Sequence, residues 1–238
     1  MAAKRNVVFD VVGTCVSFDA FFDRIDSVIG DRLRSHNISA KHFGFSWQTT
    51  AELEYTFLSV AESYRPYKEV LRATFYRTLW MAGIADPRSS ATDAERDQCV
   101  EGYSMLQLRP GIQECFDILR RAGFTVWCLT TGDTQRVRGY FERAGVHMPL
   151  ENFISCDGKG VAKPAPRAYR LALDQFEPHD DKWFAAAHMW DASAATKAGF
   201  RAAYCTVYEK ELLFEIFDTK VEVVADSLLV MAEQIVAA

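Results

Sequence analysis

The stretch Asn6-Val7-Val8-Phe9-Asp10-Val11-Val12-Gly13-Thr14 constrains this chain more than any other. Val7, Val8 and Phe9 form the short apolar run used by a strand buried on both faces of a parallel sheet. The run ends on a lone carboxylate, Asp10, and then on Gly13 and Thr14, where a backbone can turn sharply. In open α/β sheets the reactive groups stand just beyond the carboxyl ends of strands. Asp10 is therefore placed as a nucleophile or a metal ligand would be; the alternative is an Asp that caps a turn or a helix.

Beyond this strand the pattern turns helical. Phe18, Phe21, Phe22, Ile25, Val28, Ile29 and Leu33 recur at three- and four-residue steps, which predicts an amphipathic helix with Ser17 as its N-cap. A second helix is expected over 48–63, a third from Pro66 to about Met81, and a loop over 86–90. Thr92-Asp93-Ala94-Glu95 reads as a capping box opening a fourth helix. Residues 17–105 thus read as a helical module inserted into a sheet domain made of 1–16 and 106–238.

From Pro110 the chain alternates. Helices are expected over 111–122, up to Ala144, over 164–176 and 191–198, and from Asp226; strands over 124–129, 152–156, 183–187 and 201–205. Repeated strand–loop–helix units of this length imply right-handed crossovers and a Rossmann-like parallel sheet.

The formal net charge of −5, with scattered basic residues, argues against nucleic acid or an anionic membrane as a partner. No apolar window reaches the length of a membrane span. Six cysteines without CxxC pairing, several inside apolar runs, read as buried free thiols of a reducing compartment. With no signal-peptide pattern before the first strand, the expectation is a cytoplasmic protein.

Four polar turns follow four expected strands, and parallel strand ends converge on one cleft. Phe9-Asp10-Val11-Val12-Gly13-Thr14, Leu129-Thr130-Thr131-Gly132, Val161-Ala162-Lys163-Pro164 and His188-Met189-Trp190-Asp191 resemble the four motifs of the haloacid dehalogenase superfamily. Leu53-Glu54-Tyr55-Thr56-Phe57-Leu58, Tyr169 and Trp190-Asp191 with Ala194 and Gly199-Phe200 extend the likeness toward its L-2-haloacid dehalogenase branch. The resemblance implies a Rossmann-like core with a helical cap. It also implies an Asp10 nucleophile that forms an ester, oriented by Thr14. Lys163 would balance the charge of Asp10 and the substrate, and Asp191 would pair with Lys163 and help position water. Val11, Gln48, Thr130, Thr131, Tyr169 and Trp190 would line the substrate, with Tyr169 closing the site. The substrate would be a small carboxylic acid, with no metal and no cofactor, and the branch often forms homodimers. Outside that likeness, Lys163 reads as a surface lysine at a helix start and Asp191 as an N-cap.

Three positions depart from the pattern. Val12 stands where the superfamily's phosphatases carry a proton-donating aspartate, which disfavours phosphoryl transfer and suits a halide that leaves without a proton. Gln48, after Trp47, stands where the dehalogenases carry an arginine, and an amide stabilises an anion less than a guanidinium. His188 replaces an asparagine and can serve as base, acid or anion partner, or as a satisfied core histidine. A diverged reaction on a larger or less charged substrate, or a non-enzymatic small-acid-binding module, are the alternatives.

Overall fold

The computed structural model describes residues 3–238. In chain order the elements are β1 (Arg5–Asp10), β2 (Val16–Ser17), α1 (Asp19–Ser35), α2 (Ala40–Val60), α3 (Tyr67–Met81), α4 (Pro87–Ser90) and α5 (Asp93–Gly102). They continue with β3 (Gln107–Leu108), α6 (Ile112–Arg121), β4 (Phe124–Thr130), α7 (Thr134–Arg143), β5 (Phe153–Ser155) and α8 (Pro166–Leu173). The last are β6 (Asp181–Ala186), α9 (Met189–Ala198), β7 (Arg201–Cys205), β8 (Val223–Ala225) and α10 (Leu228–Ala237). The chain divides into two compact units, one of residues up to Ser17 with Leu108–Ala238, the other of Phe18–Gln107.

The first unit holds a six-stranded sheet in the order β5-β4-β1-β6-β7-β8. Every pairing within it is parallel. β1 lies at the centre because its side chains are apolar on both faces: Val7, Val8 and Phe9 are wholly inaccessible. Burying each contributes on the order of 1.5–3 kcal/mol. The chain winds one way from β1 to β4 and β5, then the other way from β6 to β8. The reversal falls between β1 and β6, where an open α/β sheet leaves a crevice at its strand ends.

The second unit is helical around an aromatic cluster. Trp47 packs edge-on to Phe75 with ring centres 4.9 Å apart, and its indole N–H donates to the Leu71 carbonyl at 2.8 Å. α1 and α2 approach closely at Gly44, where a Cβ would lie 2.6 Å from the Phe22 ring.

Several boundaries differ from expectation. α2 starts at Ala40 rather than near 48, because Ser39 caps it by accepting the His42 N–H at 3.1 Å. Ser17 belongs to β2, and α1 starts from Phe18 without a side-chain cap. Residues 87–90 form a helical turn capped by Asp86 rather than a loop. α9 begins at Met189, so His188 is its N-cap and Asp191 sits inside the first turn. The Thr92–Glu95 capping box is present in both halves. All six cysteines are buried and none is in a disulfide, and burial pushes the Cys115 and Cys156 thiols up to about 12. Among the described residues no helix is long and apolar enough to cross a membrane.

Candidate active site

Asp10 is the last residue of β1, and the chain behind it folds straight back. The N–H groups of Cys15 and Val16 both donate to the Val11 carbonyl, at 2.8 and 3.0 Å. This turn requires a φ of 94° at Gly13, a conformation that a side chain would strain. It returns Thr14 to the strand end. There the Thr14 hydroxyl donates to Asp10 Oδ2 at 2.7 Å and accepts the Ala187 N–H at 2.8 Å. Thr14 therefore has its rotor fixed from both sides, and it ties the end of β1 to the segment leaving β6.

Lys163 arrives from the loop before α8. Its Nζ donates to Asp10 Oδ1 at 2.6 Å and to Asp191 Oδ2 at 2.7 Å. The Lys163 and Asp191 side chains are 2% and 0% exposed, so the contacts are made away from water. The Tyr169 hydroxyl donates to the other Asp191 oxygen. One ammonium thus sits between two carboxylates, and the fourth member is a phenol.

The electrostatics follow from that arrangement. Burial raises the Asp10 carboxyl, but Lys163 and His188 outweigh it and hold it well below the usual carboxylate range. Burial pulls Lys163 down, and the two carboxylates outweigh that, so the ammonium is held above the ordinary lysine value. Asp191 goes the other way: burial raises it against the pull of Lys163, and the charge on Asp10 adds to the rise. Burial and the adjoining Asp191 push the Tyr169 hydroxyl far up, so it remains a donor.

His188 is buried beside the same carboxylate, its Nδ1 3.5 Å from Asp10 Oδ2. Its ring lies 5.5 Å from Trp190 and 5.0 Å from Tyr208, centre to centre. Glu209 accepts the Met189 N–H at 2.8 Å, at the opening of α9. Tyr208 and Glu209 carry no motif and sit in the irregular stretch between β7 and β8; nothing in their local sequence points to the site.

The other expected residues are dispersed in role. Thr130 is buried, its hydroxyl accepting the Gly132 N–H at 3.1 Å, and Thr131 beside it is half-buried just ahead of α7. Trp190 is half-buried on α9. Gln48 lies on α2 in the helical unit, buried next to Trp47. Two expectations need correction. Tyr169 does not stand open to close over a ligand: it is fully buried, with its hydroxyl committed to Asp191. The Val11 side chain is likewise fully buried and offers no surface to a substrate.

A sequence model described as haloacid dehalogenase-like hydrolase matches residues 4–199, a span holding Asp10, Lys163, His188 and Asp191. The chain belongs to the haloacid dehalogenase-like hydrolases. This hydrolase is 25% identical over 195 residues to (S)-2-haloacid dehalogenase 1 of Pseudomonas sp. (strain CBS-3), covering 80% of this chain and 83% of that enzyme. It is 23% identical over 198 residues to (S)-2-haloacid dehalogenase 4A of Burkholderia cepacia, covering 82% and 80%. In fold it is similar to the L-2-haloacid dehalogenase from Xanthobacter autotrophicus with chloropropionic acid covalently bound, with a TM-score of 0.74, 19% identity and 98% coverage of both chains. Tyr208 and Glu209 of this hydrolase lie beyond the matched span.

Proposed function

We propose that this hydrolase displaces a halide from a small 2-haloacid through a covalent ester on Asp10. The observation that carries the reading is the state of that carboxylate: buried, ionised, and held by Lys163 and Thr14 from opposite oxygens. A desolvated carboxylate with a fixed orientation is a far better nucleophile than one in water.

In the first step an Asp10 oxygen bonds to the halogen-bearing carbon, and the carbon–halogen electron pair leaves with the halide. In the second, water attacks Asp10 Cγ, the acyl C–O bond breaks, and the 2-hydroxy acid departs. Halide needs no proton to leave, which suits Val12 beside the nucleophile. Lys163 offsets the charges of Asp10 and the incoming acid. The main chain at Thr130 and Thr131, ahead of α7, is where the substrate carboxylate would find N–H donors. Asp191, fixed by Lys163 and Tyr169, orients the ammonium. The dehalogenase names of the relatives and the covalently bound chloropropionic acid of the Xanthobacter enzyme support the same chemistry.

The test is chloride release from (S)-2-chloropropionate. The reading expects stoichiometric chloride and lactate from the wild type and none from Asp10→Asn. An Asp10→Asn protein that still releases chloride at the wild-type rate overturns it.

A further inference from the structure

We infer that His188 is the base of the second step, and that the charge on Asp10 itself switches it between its two protonation states. This rests on the ester reading above. The juxtaposition is direct: Nδ1 lies 3.5 Å from Asp10 Oδ2, and the ring contacts those of Trp190 and Tyr208. Thr14 shares the same carboxylate oxygen, while Lys163 holds the other. His188 thus adjoins the acyl carbon from the Oδ2 side, and the Lys163 ammonium adjoins it from the Oδ1 side.

The charges around the ring explain why it can change state within one turnover. Asp10 at the end of β1 favours the imidazolium, as does Glu209, whose carboxylate is bonded one residue along at Met189 N–H. The N-terminus of α9, which His188 caps, favours the neutral ring, and so does its burial. Lys163 also opposes a second cation, although it is spent on Asp10 and Asp191, and Asp191 is turned toward Lys163 and Tyr169. With Asp10 ionised, the adjoining carboxylate supports imidazolium. When Asp10 becomes an ester its negative charge is gone, and burial and the helix terminus drive the imidazolium proton out to solvent, leaving a neutral imidazole.

That neutral ring can accept a proton. As water attacks Asp10 Cγ, one of its protons passes to His188 and its oxygen bonds to carbon. Collapse breaks the acyl C–O bond, and the departing alkoxide takes the proton back from His188. The Asp10 carboxyl then gives its proton to His188, restoring the anion and the imidazolium beside it. The balance over both steps is one water consumed, with one hydroxy acid, one halide and one proton released. No oxidant, metal or second substrate enters.

The experiment is rapid-quench turnover of 2-chloropropionate by the wild type, His188→Ala and His188→Gln, reading chloride and intact-protein mass. Both variants should release about one chloride per protein in a burst, then stall. The ester on the Asp10 peptide should accumulate, with its hydrolysis slowed roughly 100-fold or more. In the wild type, ester hydrolysis should fall with acidity across roughly pH 5 to 7, where imidazoles titrate, and the residual rate of the variants should be flat there. The burst itself reports that the variants are folded. Variants that hydrolyse the ester at the wild-type rate, that retain its pH dependence, or that show neither burst nor ester while the wild type turns over all overturn the assignment. A wild type that gives neither chloride nor ester sinks the proposed 2-haloacid reaction through an Asp10 ester, and this inference with it.

Discussion

The Lys163 ammonium lies 2.6 Å from Asp10 Oδ1, with the two side chains only 2% and 8% exposed. The same nitrogen reaches Asp191 at 2.7 Å, so a single cation separates two buried carboxylates that would otherwise face each other. This contact links the fold to the chemistry, because it makes an ionised Asp10 tolerable in the interior.

Removing the cation should therefore cost both stability and activity. Lys163→Met keeps the length of the side chain, leaves Asp191 without a counter-charge and leaves Asp10 with His188 alone. One carboxyl should then take up a proton, and the protein should lose about 3–5 kcal/mol of stability. Urea unfolding reads the first effect and chloride release from 2-chloropropionate the second. A variant with unchanged midpoint and unchanged release would show that the contact contributes to neither.

The first step should be insensitive to mild acid. Asp10 is depressed below its ordinary value of 3.8, so the stability its ionisation gives is present above that pH and lost only as pH falls through the lower folded value. Lys163 is raised above 10.5, so its contribution is complete below that pH and lost only as pH rises through the higher folded value. Asp191 is raised, so its ionisation costs stability above its ordinary value of 3.8, and that cost is relieved as pH falls through the higher folded value. The chloride burst should be level from pH 8 down to about pH 5. A burst that titrates near an ordinary carboxylate would mean that Asp10 lacks its cationic partner in solution.

Tyr169 acts on Asp191 rather than on a ligand. Tyr169→Phe removes one hydrogen bond to a buried carboxylate and leaves no cavity, which should cost about 2 kcal/mol. With Lys163 still on its other oxygen, Asp191 should remain in place and turnover should fall by roughly 10-fold, a little over 1 kcal/mol of barrier. Thermal unfolding together with the turnover rate checks both; loss of substrate affinity with turnover intact would return Tyr169 to the substrate.

A change in the helical unit serves as the contrast. Thr92 caps α5 and receives Glu95 in return, with the Glu95 carboxyl held down at about 2 by Arg32 and by the Thr92 N–H. Thr92→Ala should lower stability by about 1 kcal/mol while chloride release per folded protein is unchanged. Because Glu95 is depressed, the stabilisation it gives is present above pH 4.5 and fades as pH falls toward 2. A drop in turnover without a drop in stability would mean that this cap serves the reaction rather than the fold.

Legibility in the sequence tracks the regularity of the local signal. Asp10 can be read because an apolar strand ends abruptly on it, whereas Lys163 and Asp191 are singled out only by the family resemblance, since alone they read as a surface lysine and an N-cap. Their shared contact is set by strand order, which the alternating pattern implies. Glycine is a poor helix former, so the stretch around Gly44 gives a weak local signal, whereas it is the point where α1 and α2 touch. The burial of Tyr169 depends on α8 packing against α9, which no local pattern encodes. Tyr208 and Glu209 escape a sequence reading because the stretch between β7 and β8 has neither helical nor strand periodicity; only the folded sheet brings it to His188 and Met189.

The central claim, an ester on Asp10, is tested most directly by a single turnover in water enriched in oxygen-18, with enzyme in excess over 2-chloropropionate. If water attacks the acyl carbon, the label appears in the peptide containing Asp10 and the lactate formed carries none. Labelled lactate with an unlabelled Asp10 peptide would mean that water attacks the substrate itself, and would contradict the ester.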